Sequence, residues 1–320
     1  MNGQLVFSLA EPDVDERAGR RGPGWTKANH NTVDQRVQIP LSIATLDGCD
    51  GALGITLEWN ELNPEMADEN GQTLFSLAAR NGCEGVVKEL LEWNDVSPDT
   101  VNKYGRTPLS EAAANGHEGI VRVLLERNDV NPDTADKDGR TPLWWAALNG
   151  YERVVKILLG QSGVSPDQAD KYCQTPLSVA AWNGHEGVVK TLLEQNGINS
   201  NPANQCCQTP LSLAAQNGHE GIVRILLRLH DVDPGAPEKY CQTPLFWAAM
   251  NGHEGVVRAL LEQNGVNPDQ TDETGQAPLS AAAWNGHEGV VRILLEQNVV
   301  NPDQADIRPN TALDGCQQWA

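Results

Sequence analysis

Five histidines stand in one register of this sequence: His117, His185, His219, His253 and His287 are separated by 34 residues or twice that. Each is followed by a glutamate, as in His117-Glu118 and His185-Glu186. Histidine beside glutamate is the opening of H-E-x-x-H, in which two histidines one helical turn apart hold zinc and the glutamate acts as a base. Here Val121, Val189 and Val223 occupy the place of the second histidine, and the zinc-protease reading fails. Nor do the histidines reach one another. Equivalent residues of stacked units lie about 8–10 Å apart, whereas zinc needs its ligands about 2 Å from one centre. They are read as structural residues, with each glutamate at a helix start where the positive end of the dipole favours a carboxylate.

A second column, Cys173, Cys207 and Cys241, keeps the same interval and replaces the turn glycines Gly105 and Gly139. A spacing of about 8–10 Å exceeds the roughly 7 Å Cα limit for a disulfide, so these thiols are expected to stay free, and a turn that accepts Cys for Gly is expected to carry mild strain. A redox or metal role for this column, together with Cys206, is an alternative reading. The seven cysteines are odd in number, and none is expected to pair. That points to a reducing compartment, the cytoplasm first and the nucleus second. The glycines at 19–24 lack both G-x-G-x-x-G spacing and a preceding strand, and no Ser, His and Asp set stands apart from the repeating columns. No catalytic residue, metal ligand or cofactor is therefore expected.

The interval of these columns belongs to the whole chain. Thr-Pro-Leu recurs at Thr107, Thr141, Thr175, Thr209 and Thr243, with Thr73 and Ala277 continuing the series. In each unit the Thr hydroxyl is placed to accept a free N–H of a first helical turn, and Pro suits the first helical position because its missing donor would be unpaired there. Ala112-Ala113 and their equivalents are small enough for a neighbouring helix to approach closely. Asn115-Gly116 ends the helix, since Gly accepts the left-handed conformation of a C-terminal cap. A second helix follows, with Ile120, Val121, Leu124 and Leu125 on one apolar stripe and Glu118 and Arg122 off it. Asn131-Pro132-Asp133 and Asp136-Lys137-Asp138-Gly139 then supply a turn and a projecting hairpin. One such unit cannot bury its own apolar side, so stacked neighbours must supply the core.

The pattern of a turn, T-P-L, Ala-Ala, a G-H step and a V-V-x-L-L run resembles the ankyrin repeat. Its N-D-V-N-P-D and G-H-E-G segments are similar to arrays common in filamentous fungi. The resemblance implies an all-α ankyrin-repeat solenoid, a helix-turn-helix plus hairpin per repeat, and a function in binding proteins. Two features depart from it. The repeat is 34 residues where 33 is usual, the extra residue falling between the second helix and the hairpin. The usual His after T-P-L is replaced by Ser76, Ser110, Ser178, Ser212 and Ser280, by Trp144 or by Phe246, so the side-chain hydrogen bond implied for that His does not carry over.

Seven full repeats are expected over 67–304. Residues 37–66 read as a degenerate capping repeat, 1–36 as a decayed repeat in loop or disordered form, and 305–320 as a truncated last repeat. A formal net charge of -20 argues against nucleic-acid phosphates and anionic membrane surfaces as ligands, and no segment has the roughly 18 uninterrupted apolar residues of a membrane helix. A monomer is expected.

Packing columns must keep their character from repeat to repeat, whereas exposed ones drift. Drift is seen at the hairpin tips, with Lys103, Tyr104, Lys137, Lys171, Tyr172, Lys239 and Tyr240, and after Ala-Ala, with Arg80, Leu148, Trp182, Met250 and Trp284. By resemblance these positions line a concave groove, and Tyr, Trp, Met and Arg are the residues enriched in interface cores. The partner is expected to be another protein or peptide bound there. A detached sensing array of a fungal NACHT- or nucleosidase-type receptor is the alternative.

Overall fold

The computed structural model describes residues 67–300 except 94, 95, 239, 298 and 299. The expectations for 1–36, 37–66 and 305–320, and for Lys239, lie outside these residues. The described chain holds helix pairs and no strand: α1 (Leu74–Asn81) with α2 (Glu84–Leu91), α3 (Pro108–Ala114) with α4 (Glu118–Leu125), α5 (Pro142–Leu148) with α6 (Glu152–Leu159), and α7 (Pro176–Trp182) with α8 (Glu186–Leu193). The series continues through α9 (Pro210–Gln216) with α10 (Glu220–Leu226), α11 (Pro244–Met250) with α12 (Glu254–Leu261), and α13 (Pro278–Trp284) with α14 (Glu288–Leu295).

Each first helix starts where its sequence allows. The Thr107 hydroxyl accepts the Ser110 N–H at 3.1 Å, with Pro108 at the first helical position, and Thr73, Thr141, Thr175, Thr209 and Thr243 do the same. Ala277 has no hydroxyl, and α13 starts without this cap. The serines that follow Thr-Pro-Leu turn their own hydroxyls back: Ser178 Oγ donates to the Thr175 carbonyl at 2.8 Å and Ser212 Oγ to that of Thr209 at 2.9 Å. Trp144 instead donates its indole N–H to the Gln174 carbonyl of the next repeat at 3.0 Å.

First helices stack on first helices and second on second, each pair also packed internally. The alanine pairs Ala112-Ala113, Ala146-Ala147 and Ala180-Ala181 are wholly buried, as are Val121 and Leu124 of α4. Leu125 is half-buried against the same core. Between repeats, Asp99, Asp133 and Asp167 accept the backbone N–H groups of Asn131, Ser165 and Asn199, 32 residues further on. The segment holding the extra residue of each repeat is thus tied to its neighbour.

One expectation about the cysteines needs correction. Cys83, wholly buried, is disulfide-bonded, so the cysteines are not all unpaired, and cysteine usage no longer points to a reducing compartment. Its partner is none of the described cysteines, because Cys173, Cys206, Cys207 and Cys241 are free and exposed. Burial in the core, which the column-based reading did not cover, sets Cys83 apart from the turn thiols.

Candidate interaction face

The chemistry-bearing columns take structural places. His117, His185, His219, His253 and His287 put Nε2 at 2.9–3.0 Å from the carbonyls of Arg80, Leu148, Trp182, Gln216 and Met250, each at the end of the preceding repeat's first helix. A carbonyl only accepts, so Nε2 carries the proton and donates. The imidazole joins repeats and caps a carbonyl at the helix end, where the last carbonyls have no partner within the helix; the Gln216 carbonyl also accepts from Asn251 Nδ2 at 3.1 Å. Room for the ring comes from the glycine of the preceding Asn-Gly: a Cβ on Gly184 would lie 2.6 Å from His219. Two of the glutamates beside these histidines pair within their own helix, Glu186 with Lys190 at 2.6 Å and Glu220 with Arg224 at 2.9 Å, whereas Glu118 faces Arg153 of the next repeat at 3.6 Å. Among the described residues no three His, Cys, Asp or Glu side chains gather as a metal site would require.

The thiol column sits in strained backbone. Cys173, Cys207 and Cys241 have φ of 61°, 60° and 59°, the left-handed region that Gly105 and Gly139 occupy at φ 82° and 84°. For an L-residue this conformation costs about 1–2 kcal/mol.

The hairpins are built from one carboxylate or amide each. Asp136 Oδ1 accepts the N–H groups of Asp138 and Arg140 at 2.9 and 3.0 Å, and Asp170 Oδ1 those of Tyr172 and Gln174 at 2.9 and 2.8 Å. Successive tips are then joined in a ladder: Lys103 N–H donates to Asn70 O, Lys137 N–H to Tyr104 O, Lys171 N–H to Asp138 O and Gln205 N–H to Tyr172 O, at 2.7–3.2 Å. This ladder sets Lys103, Lys137 and Lys171 in a row, all exposed.

Tyr104, Tyr172 and Tyr240 are exposed at the same tips. The ammonium groups of Lys103 and Lys171 lie 5.0 Å from the rings of Tyr104 and Tyr172, and Lys171 pairs with Asp138 at 2.6 Å. The hydrogen bond from Lys171 holds the Asp138 carboxyl below its ordinary range. On the first helices Arg80, Trp182, Met250 and Trp284 are exposed. Leu148 differs: it is half-buried and packs against the core, because an aliphatic chain at this place can fold back onto its neighbours.

The structure adds a column that the sequence reading passed over. The residue just before Ala-Ala also drifts, through Glu111, Trp145, Val179, Leu213 and Trp247, and it lies three residues, hence on the same helix side, from the exposed column after Ala-Ala. Its side chains reach the hairpins: Asn102 donates to Glu111 at 3.0 Å, Trp145 Nε1 to Asp136 at 3.2 Å and Trp247 Nε1 to Glu238 at 3.0 Å. Arg106 stands 3.7 Å over the Trp145 ring and Arg140 5.2 Å from it. Hairpin tips and first-helix side chains are therefore one connected face. Drift between repeats was a signal already available for this column, although Glu111, Trp145, Val179 and Leu213 are buried.

A family model describing ankyrin repeats in three copies matches residues 41–136, 75–170, 128–204, 162–237 and 211–311. The chain belongs to the ankyrin-repeat family. No curated protein matches it. Ankyrin repeats generally mediate protein–protein interaction, and the family is typically a non-enzymatic scaffold. In this ankyrin array no helix among the described residues is long and apolar enough to cross a membrane.

Proposed function

We propose that this chain is a non-enzymatic scaffold that binds a partner protein or peptide along a concave face made by its hairpins and first helices. One observation carries the reading. Of nine exposed large hydrophobic side chains among the described residues, six (Tyr104, Tyr172, Trp182, Tyr240, Met250 and Trp284) belong to the hairpin tips and first-helix ends. Exposing such groups opposes folding, and grouping them on one face suits an interface whose core excludes water. The other faces have a different character, since the second helices carry ion pairs such as Glu152 with Lys156 at 2.5 Å and Glu220 with Arg224 at 2.9 Å.

The test is affinity capture from a cell extract with wild type and with Tyr172→Ala/Trp182→Ala/Tyr240→Ala. All three side chains are exposed, so circular dichroism is expected to show both proteins equally folded. A protein retained by wild type and lost from the variant is the expected outcome. Equal retention would place the interface elsewhere.

A further inference from the structure

Accessible charge is unevenly spread along the interaction face. In the repeats up to residue 171 it carries the exposed row Lys103, Lys137 and Lys171, with Arg106 and Arg140 gathered about Trp145 behind them. The carboxylates between these cations lie mostly underneath. Asp136 and Asp170 have 3% and 0% side-chain exposure, and both are engaged by the N–H groups of their own turns. Asp138 is partly exposed and already taken by Lys171; Glu69 is an exposed anion at the edge. Lys103, Lys137 and Lys171 are thus the row of exposed charged groups a partner meets here, with Glu111 buried beneath them, on a chain whose formal net charge is -20.

Beyond residue 172 the face changes. The arginine column becomes Gln174, Gln208, Gln242 and Gln276, the tips carry one lysine, Lys239, and one glutamate, Glu273, and Trp182, Met250 and Trp284 stand exposed.

We infer that the partner segment is two-part: an acidic stretch lies over the earlier repeats, and an apolar stretch lies over the later ones. This rests on the interaction face proposed above and adds its chemistry. The formal net charge of -20 disfavours an acidic segment away from the cationic strip, so attraction at the strip favours one register. Arg106 is pre-ordered by Trp145, which reduces the ordering cost of binding a carboxylate. The centres of the two parts are between two and three repeats apart. At the 8–10 Å step of stacked helices this is about 20–30 Å, or about six to nine residues of extended chain.

Fluorescence anisotropy with the full chain and three labelled peptides tests this. The first peptide joins an Asp/Glu block to a Leu/Trp block through a Gly/Ser spacer that sets the block centres about seven residues apart, matched to the estimated span; the second has Lys for the acidic block, and the third has Ser. The acidic peptide is expected to bind at least about tenfold more tightly than the lysine peptide, with an affinity that falls as salt rises. Lys103→Glu/Lys137→Glu, two exposed changes, should erase that preference while leaving the serine peptide unaffected. Equal binding of all three peptides, lost in the triple alanine variant, would keep the interaction face and overturn the two-part partner. Failure of every peptide to bind while wild type still captures a protein would overturn the inference too. Failure of both peptides and capture would remove the proposed face itself.

Discussion

Glu238 occupies the hairpin place that Asp136 and Asp170 hold in other repeats, with one more methylene, and accepts the Trp247 indole N–H. Burial pushes its carboxyl above the ordinary range. The folded chain therefore holds this proton more tightly than the unfolded chain does. Stability contributed by Glu238 is greatest below the unfolded pKa, falls as pH rises from there to the raised folded value, and stays at the lower level above it. Glu238→Gln keeps an oxygen acceptor for Trp247 and removes the charge. We expect it to raise Tm near pH 7 and to leave Tm little changed well below the unfolded pKa; a lower Tm at pH 7 would mean that the ionised carboxylate is fully compensated in place. Asp99, Asp133 and Asp170 are raised by burial as well, so the difference between variant and wild type is the informative quantity.

Within an element, the same residue type serves two different needs. Gly184 ends α7 at φ 81°, and an added Cβ would lie 2.6 Å from the His219 ring. Gly187 is helical, and its Cβ would meet Glu152 Oε2 at 2.1 Å, the free end of a flexible side chain. Gly184→Ala should cost at least about 1–2 kcal/mol from the left-handed backbone alone, with further loss as His219 is displaced. Gly187→Ala gains about 0.5–1 kcal/mol of helix preference, offset by moving Glu152, and should stay within about 1 kcal/mol of wild type. Urea denaturation of the two variants checks the contrast; equal losses would refute the division of roles.

For the molecule as a whole, stability is a sum over neighbours. Leu124 of α4 is wholly buried in the core that runs through successive repeats. Leu124→Ala should cost about 2–5 kcal/mol. Because each repeat is held by the next through packing, by the hairpin ladder and by the histidine bonds, the loosening should spread. Hydrogen exchange is expected to quicken in α2 and α6 as well as in α4. Faster exchange confined to α4 would show that the repeats are held independently.

The repeating sequence determined the helices, their caps and their stacking, because Thr-Pro, Asn-Gly and the apolar stripes act through short-range backbone preferences and a pattern that each unit shares with the next. Drift also singled out the hairpin tips and the column after Ala-Ala, although drift alone does not separate exposed positions from buried ones: Glu111 and Trp145 drift and are buried. Tertiary structure decided what spacing could not. Leu148 turned inward, and Trp145 came to sit beneath Arg106 instead of merely filling space. The histidines found their acceptors 37 residues back, a distance visible only once repeats are stacked. The glutamate that the preceding repeat sends over the glycine after His-Glu, as Glu152 over Gly187, is likewise visible only in the stacked repeats. Contacts between repeats depend on side-chain direction across an interface, and that direction is fixed by the packed neighbour rather than by the local chain.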